Sequence, residues 1–185
     1  EIDPVDASSE LNRLAQRLAG LDTKELRLRA EINNDDFTVP AELSAQSPMV
    51  ALTEQSLFAA RRAELVGQLA VLEQRLAQRR QDLRAAENSV GTAERTAGFL
   101  EEEIAVVAPL VRDNIAPATR LLELQRQLEQ AYGQRDQGKV GIEQARSSLI
   151  ELETEIENTR SNYSLRAMEE LNSVVAEQSE LSESL

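Results

Sequence analysis

Apolar residues recur along this chain at alternating intervals of three and four, the spacing that lays one stripe down an α-helix. Two interleaved series step by seven between Leu65 and Val107. One runs through Leu65, Leu72, Arg79, Ala86, Ala93, Leu100 and Val107, the other through Leu69, Leu76, Leu83, Val90, Ala97 and Ile104. A later stretch repeats the arrangement through Leu121, Leu128, Arg135, Ile142, Leu149, Ile156 and Tyr163, and through Leu124, Ala131, Gly138, Ala145, Leu152 and Thr159. A sustained alternation of this kind is a coiled-coil seam. A shorter series comes first, through Leu11, Leu14, Leu18, Leu21, Leu28 and Ile32, with one gap at Glu25.

Local chemistry divides these stretches into three helices. Asp3-Pro4-Val5-Asp6 is a helix start, with Asp3 as N-cap, Pro4 at the first helical position and Asp6 favoured by the dipole. Helix 1 is expected over about 5–33. Asn33-Asn34-Asp35-Asp36 ends it, because short polar side chains compete for backbone hydrogen bonds. Phe37-Thr38-Val39-Pro40 is extended, since Pro40 restricts Val39. Residues 34–47 are therefore expected as a linker. Ser47-Pro48 repeats the cap-plus-proline start, so helix 2 is expected over about 48–112. Arg112-Asp113-Asn114-Ile115-Ala116-Pro117 is a second break, and helix 3 is expected over about 117–182.

If helices 2 and 3 fold back on each other, facing seam residues must have numbers with a constant sum. Val107 with Leu121, Ile104 with Leu124, Leu100 with Leu128, Ala86 with Ile142, Leu76 with Leu152 and Leu65 with Tyr163 all give 228. Half of that is 114, inside the break already placed by its Asn and Pro. The expected fold is all-α: one long antiparallel coiled-coil hairpin with a tip at 113–117 and a shorter third helix. Each arm of the hairpin would extend roughly 98 Å, and helix 1 roughly 43 Å, so helix 1 covers only the part remote from the tip. The linker reaches at most roughly 45 Å. Arg135 then faces Ala93 and Arg79 faces Leu149, so each long stem has apolar cover while its head reaches water. Gly138 faces Val90, with Gly91, Gly98, Gly133 and Gly141 nearby, which implies close but weaker packing. After Tyr163 the seam shifts by four residues to Ala167, Leu171 and Val174, a stutter that locally unwinds a supercoil.

Composition narrows the function classes. Only 3% of residues are aromatic, and Trp is absent; Leu, Ala, Val and Ile embedded in Glu, Gln and Arg are long-helix composition. There is neither His nor Cys, which removes the usual transition-metal ligands and the Ser-His and Cys-His catalytic pairs. An enzyme is not expected, nor a cofactor or metal. A formal charge of −13 with no basic stripe repels phosphate backbones, so no nucleic-acid partner is expected. No apolar run approaches the roughly 20 residues that span a bilayer. The abrupt start at Glu1 reads as a piece of a larger protein.

Four strings carry a family resemblance. Glu1-Ile2-Asp3-Pro4 resembles the end of a first lipoyl half entering a helix. Leu28-Arg29-Ala30-Glu31-Ile32 followed by Phe37-Thr38-Val39-Pro40-Ala41-Glu42-Leu43 resembles a helix end with a Pro-x-x-Leu loop. Leu57-Phe58-Ala59-Ala60-Arg61-Arg62-Ala63-Glu64-Leu65 resembles a Phe-x-x-Arg-Arg segment opening the second helix. Pro109-Leu110-Val111-Arg112-Asp113-Asn114-Ile115-Ala116-Pro117, running on to Arg120-Leu121-Leu122-Glu123-Leu124, resembles a hairpin tip and its exit. In this order and spacing they resemble the periplasmic helical domain of type I secretion adaptors, the membrane fusion proteins of the haemolysin D (HlyD) family.

The resemblance covers essentially the whole chain as one helical-hairpin domain, with 1–4 a remnant of the lipoyl half. It implies a periplasmic domain of an inner-membrane-anchored adaptor. An ABC transporter would be engaged through other parts of that protein, and copies would associate into a ring whose tips meet a TolC-like outer-membrane channel. Drug-efflux relatives carry an Arg-x-x-x-Leu-x-x-x-x-x-x-Ser/Thr tip. Here Ala116 stands near the Ser/Thr position, the spacing after Leu110 is one shorter, and no Arg lies at the expected place. The implied contact set is Leu110, Arg112, Asp113, Asn114, Ile115, Ala116, Pro117, Thr119 and Arg120.

The tip also reads as a plain turn selected for its Asn and Pro, although an ordinary turn does not require an exposed Ile115. Glu101-Glu102-Glu103 reads as a solvated face. Arg61-Arg62 and Arg79-Arg80 read as surface charges or snorkelling stems, or instead as bridges between neighbouring hairpins in a ring. Two rivals remain at this stage: a structural coiled-coil spacer, against which the short-long-long helix lengths and missing Trp count, and a membrane-sculpting bundle, which needs a basic concave face.

Overall fold

The computed structural model describes the backbone of residues 4–183 and the side chains of residues 9–183. The proposed Asp3 cap and residues 1–3 of the lipoyl remnant lie outside these limits. Four helices follow in order: α1 (Pro4–Asn33), α2 (Ala41–Gln46), α3 (Pro48–Arg112) and α4 (Ala118–Glu183). Three of them meet the sequence boundaries to within a residue. The fourth is a correction, because the expected linker contains a short helix. Pro40 stands at its N-cap and Glu42 in its first turn, and Ala-Glu-Leu are strong helix formers once Pro40 has reset the backbone.

The chain divides into two compact units, Glu1–Val71 with Glu155–Leu185, and Leu72–Thr154. In the second unit α3 and α4 run antiparallel. Every seam position there except Arg79 is buried or half-buried. Val90 lies against Gly138 and Ala86 against Gly141, the first pair on the expected register and the second one residue off it. Along one flank, Arg80 pairs with Glu153 at 3.7 Å, Glu87 with Arg146 at 3.9 Å and Glu94 with Lys139 at 3.7 Å. The Tyr132 hydroxyl donates to Glu101 on the same line. These numbers add to 233, five above the seam, as positions flanking an antiparallel seam must. Glu103 with Arg120 adds to 223, on the opposite flank. Each exposed pair contributes at most about 1 kcal/mol, so the ladder fixes register more than stability.

The arginines in the seam behave differently from each other. Arg79 swings out to Asp82 at 3.1 Å. Arg135 keeps a half-buried stem, and its guanidinium lies 4.7 Å over the Tyr132 ring while its head reaches Asp136. Ala93, Ala97 and Ala131 are buried, so the helices approach closely through small residues.

In the first unit α1 packs on the parts of α3 and α4 remote in sequence from the turn. It runs parallel to α3, because Gln16 meets Ser47, Gly20 meets Val50 and Arg27 meets Glu54. It runs antiparallel to α4: Arg17 pairs with Glu177 and Arg27 with Glu170. Leu21 and Leu28 of α1 with Ala167, Val174 and Leu181 of α4 form the buried cluster, flanked by Leu14, Leu18, Ile32 and Leu171. The shifted seam after Tyr163 is therefore the face that receives α1. The gap at Glu25 is filled by Gln178, which donates to Glu25 and Asp22, both at 2.9 Å.

Both polypeptide reversals use asparagine. Asn34 and Asn114 have φ of 60° and 56°, the left-handed region that Asn tolerates better than other side chains. The Ser47 hydroxyl does not cap α3; it donates to the Gln16 carbonyl at 3.3 Å. Phe37 in the linker packs on Phe58 with ring centroids 5.4 Å apart, which returns the chain to the start of α3.

The Val90–Gly138 approach is testable. A Cβ at Gly138 would lie 2.6 Å from Val90 Cγ2, and Val90 is stiff at χ1. Gly138→Ala should lose roughly 1 kcal/mol net despite its better helix propensity, and Val90→Ala in the same chain should relieve the clash. Gly98 and Gly133 have open space around them. Alanine at either should raise stability by up to about 1 kcal/mol in denaturant melts.

Candidate partner-binding site

The turn between α3 and α4 is built from backbone. Asn114 N–H donates to Val111 O at 3.1 Å and Ile115 N–H to Leu110 O at 2.8 Å. With Asn114 left-handed, this is a Schellman closure that satisfies the last carbonyls of α3. Ala116 N–H also reaches Leu110 O at 3.1 Å, and Arg120 N–H reaches Pro117 O at 3.1 Å to start α4. Pro109 sits inside the last turns of α3, where its missing N–H leaves the Ala105 carbonyl without its helical donor.

This closure brings most of the expected contact set together. Arg112, Asp113, Asn114, Pro117 and Thr119 are exposed, and Ala116 is half-buried. Ile115 is 72% exposed and Leu110 37%. A Schellman motif commonly pairs the residues at these two positions through an apolar contact, yet most of Ile115 still faces solvent. Arg120 is exposed but already engaged, since its guanidinium bonds Glu103. Val106 and Leu122, one turn away on each helix, are 66% and 64% exposed. Sequence reasoning passed over them; the available signal was apolar residues at outward heptad positions beside a turn.

A second cluster lies where α1 joins α3 and α4. Arg27 is fully buried and bonds Glu31 at 2.5 Å, Glu54 at 2.5 Å and Glu170 at 3.4 Å. Arg61 bonds Glu31 at 3.3 Å and Glu170 at 2.7 Å. Arg61 is thus an internal partner rather than a free surface charge. Burial opposes charge on Arg27, but hydrogen bonds from its guanidinium to Glu54 and Glu31 hold it firmly protonated. Burial likewise disfavours the Glu170 carboxylate, but Arg61, with Arg27 behind it, holds it below the ordinary range. Burial and the Glu31 charge push the Tyr163 phenol up. Its hydroxyl and Arg62 Nη1 are buried without a hydrogen-bond partner. Tyr163 lines a cleft of about 310 Å³ with Glu31, Arg61, Glu64, Arg166 and Glu170.

With this geometry in hand, comparison with known proteins is decisive for the fold. The family model described as AprE, long alpha-helical hairpin, matches residues 7–185. The chain belongs to that family. The AprE-type hairpin is also similar to a crystal structure of the soluble domain of LipC, described as a membrane fusion protein of a type I secretion system. The TM-score is 0.87 at 23% identity, covering 100% of this chain and 89% of that one. No curated protein matches the chain in sequence. The resemblance drawn from the four sequence strings therefore holds for the hairpin fold. No helix among the described residues is long and apolar enough to cross a membrane.

The ion network makes a measurable demand on the AprE-type hairpin. Arg27→Ala leaves buried carboxylates facing each other and should cost roughly 3–5 kcal/mol. Because the Glu170 carboxyl is held below the usual glutamate value of about 4.3, its contribution is fully present above that pH. It is lost as pH falls through the lower folded-state value. In thermal melts across acid pH, Glu170→Gln should remove that part of the acid sensitivity.

Proposed function

We propose that this chain is the helical-hairpin domain of a periplasmic adaptor, a membrane fusion protein of a type I protein secretion system. In this reading it bridges an inner-membrane ABC transporter and a TolC-like outer-membrane channel. The turn at 113–117 docks on the channel, the transporter is engaged through other parts of the adaptor, and copies associate into a ring. The adaptor is anchored in the inner membrane and this domain lies in the periplasm.

The observation that carries the reading is the turn itself. A reversal between two helices needs a left-handed residue and satisfied carbonyls, which Asn114 and the Leu110 carbonyl supply. It does not need a branched apolar side chain 72% exposed at the residue after the cap. Exposed Ile115, with Leu110 and Val106 behind it on α3, is an anchor of the kind that fills a pocket on a partner. Membership of the hairpin family and the likeness to the LipC domain support the same reading. The mechanism asks no chemistry of this chain: a pair of helices presents a small apolar contact, and export is driven elsewhere. A coiled-coil spacer without a transport role is the competing reading, and it assigns Ile115 no contact.

A photoreactive residue at position 115 of the intact protein should crosslink to an outer-membrane channel in cells, whereas one at a mid-α3 position should not. Ile115→Asp should reduce export by tenfold or more, about the effect of losing one anchor, with helicity and melting unchanged. Asn114→Gly keeps the left-handed turn and should export normally. Normal export by Ile115→Asp would return the chain to the spacer reading.

A further inference from the structure

The seam of the second unit has two sides, each made of the two rows of residues beside the seam on α3 and on α4, and the sides differ in charge. One carries the ladder through Glu87–Arg146 and Glu94–Lys139. Over residues 77–101 and 127–150 its fifteen positions hold ten charged residues, five on each helix. The fourteen positions on the opposite side hold one, Asp82. That carboxylate is answered in place, by Arg79 and by the Gln78 amide, both at 3.1 Å. In a chain with 29% charged residues, an ordinary solvated helix face resembles the first side. The second calls for another reason.

On α3 this uncharged side runs through Gln78, Ala85, Thr92 and Phe99. On α4 it runs through Gln130, Gln137 and Gln144, with Gln127 and Gln134 beside them, and all of these side chains are exposed. Ser89, Thr92, Thr96, Gln134 and Gln137 line an open groove of about 620 Å³ between the two helices. The Thr92 and Thr96 hydroxyls donate back to the carbonyls of Asn88 and Thr92, both at 3.0 Å. The amides of Gln130, Gln134, Gln137 and Gln144 bond no other described residue, so they stay open to whatever passes. Phe99, 70% exposed, is the one large apolar side chain among these positions. At 1.5 Å per residue the side extends about 35 Å. Arg75 bounds it at one end and the Glu103–Arg120 pair at the other.

We propose that this uncharged side faces the polypeptide being exported, an unfolded chain in transit. The inference rests on the adaptor reading above, in which copies bridge transporter and channel and each hairpin turns one side to the path they enclose. An unfolded polypeptide presents backbone amides throughout and side chains of either charge in any order. A charged wall would retain segments of opposite charge and repel the others, whereas passage requires contacts that are weak and many. Glutamine meets that demand. Its amide offers two N–H donors and a carbonyl acceptor to any peptide group, much as water does, and it carries no net charge. The same features count against a folded partner on this side. A stable interface uses an apolar core with aromatic anchors, or complementary charge, and here an isolated Phe99 stands among amides and hydroxyls.

The probe is the adaptor-dependent cargo itself, the protein lost from the culture medium when the adaptor is deleted, arrested in transit by fusion to a stably folded domain. In cells carrying the intact adaptor, a photoreactive residue in place of Gln137 should crosslink to the arrested cargo. One in place of Lys139, two residues on but on the charged side, should not. Gln130→Arg with Gln137→Arg should slow export of the unfused cargo roughly tenfold, with helicity and melting unchanged, and Gln130→Asn with Gln137→Asn should export normally. Cargo captured from 139 and not from 137 would overturn the proposal, as would capture of a second copy of the adaptor from 137. So would normal export by the arginine pair. A channel crosslink from position 115 with no cargo crosslink from 137 removes this assignment and leaves the adaptor reading standing. Loss of the 115 crosslink as well removes both.

Discussion

Two antiparallel helices that share one seam have a single adjustable quantity, the register at which they meet, and the turn fixes it. With Asn114 left-handed and the Leu110 carbonyl closing the end of α3, seam pairs in the second unit must fall at a constant sum. Small residues then have to coincide: Val90 meets Gly138 where no Cβ fits. Moving one helix by a full heptad would bring Ala131 or Ala145 to that position, each with a Cβ where none fits. Close packing at the centre and the geometry of the turn therefore enforce the same register from separate places, and the flanking ion pairs follow from it.

The third helix is held differently. Its apolar cluster with α4 resembles any leucine seam and would accept a heptad slip at modest cost. The five-residue ion network would not. Arg27 is fully buried, and a slip would strand it from Glu54 and Glu170 on two other helices. Buried ion pairs contribute little net stability compared with packed apolar residues, but an uncompensated buried charge is expensive. The network thus acts as a register device, and it explains why the α4 seam shifts after Tyr163: that helix must present Ala167 and Val174 to α1 and Glu170 to Arg27 at once.

In the adaptor reading, function lies in what the scaffold presents. The turn displays an apolar side chain that its own architecture does not bury, as expected of a component whose partner completes it. In the adaptor reading that turn would settle where the hairpin docks.

The hairpin was legible from residue numbers alone, because a seam of period seven and a break containing Asn114 and Pro117 are local patterns with one geometric solution. The ends of α1 and α3 and the start of α4 followed from prolines and asparagines for the same reason. The short helix α2 was not legible, since six residues give no periodicity and Pro40 was read only for the extension it imposes on Val39. Nor was the network around Arg27. An arginine one residue away from a leucine stripe looks like a solvated charge, and Arg61 looks like its neighbour Arg62. Only the placement of α1 parallel to α3 and antiparallel to α4 brings Glu54, Arg61 and Glu170 around a single buried guanidinium. Sequence determines periodicity and turns because these depend on neighbours in the chain. Burial of a charge depends on which helices surround it, and that was decided only in the folded molecule.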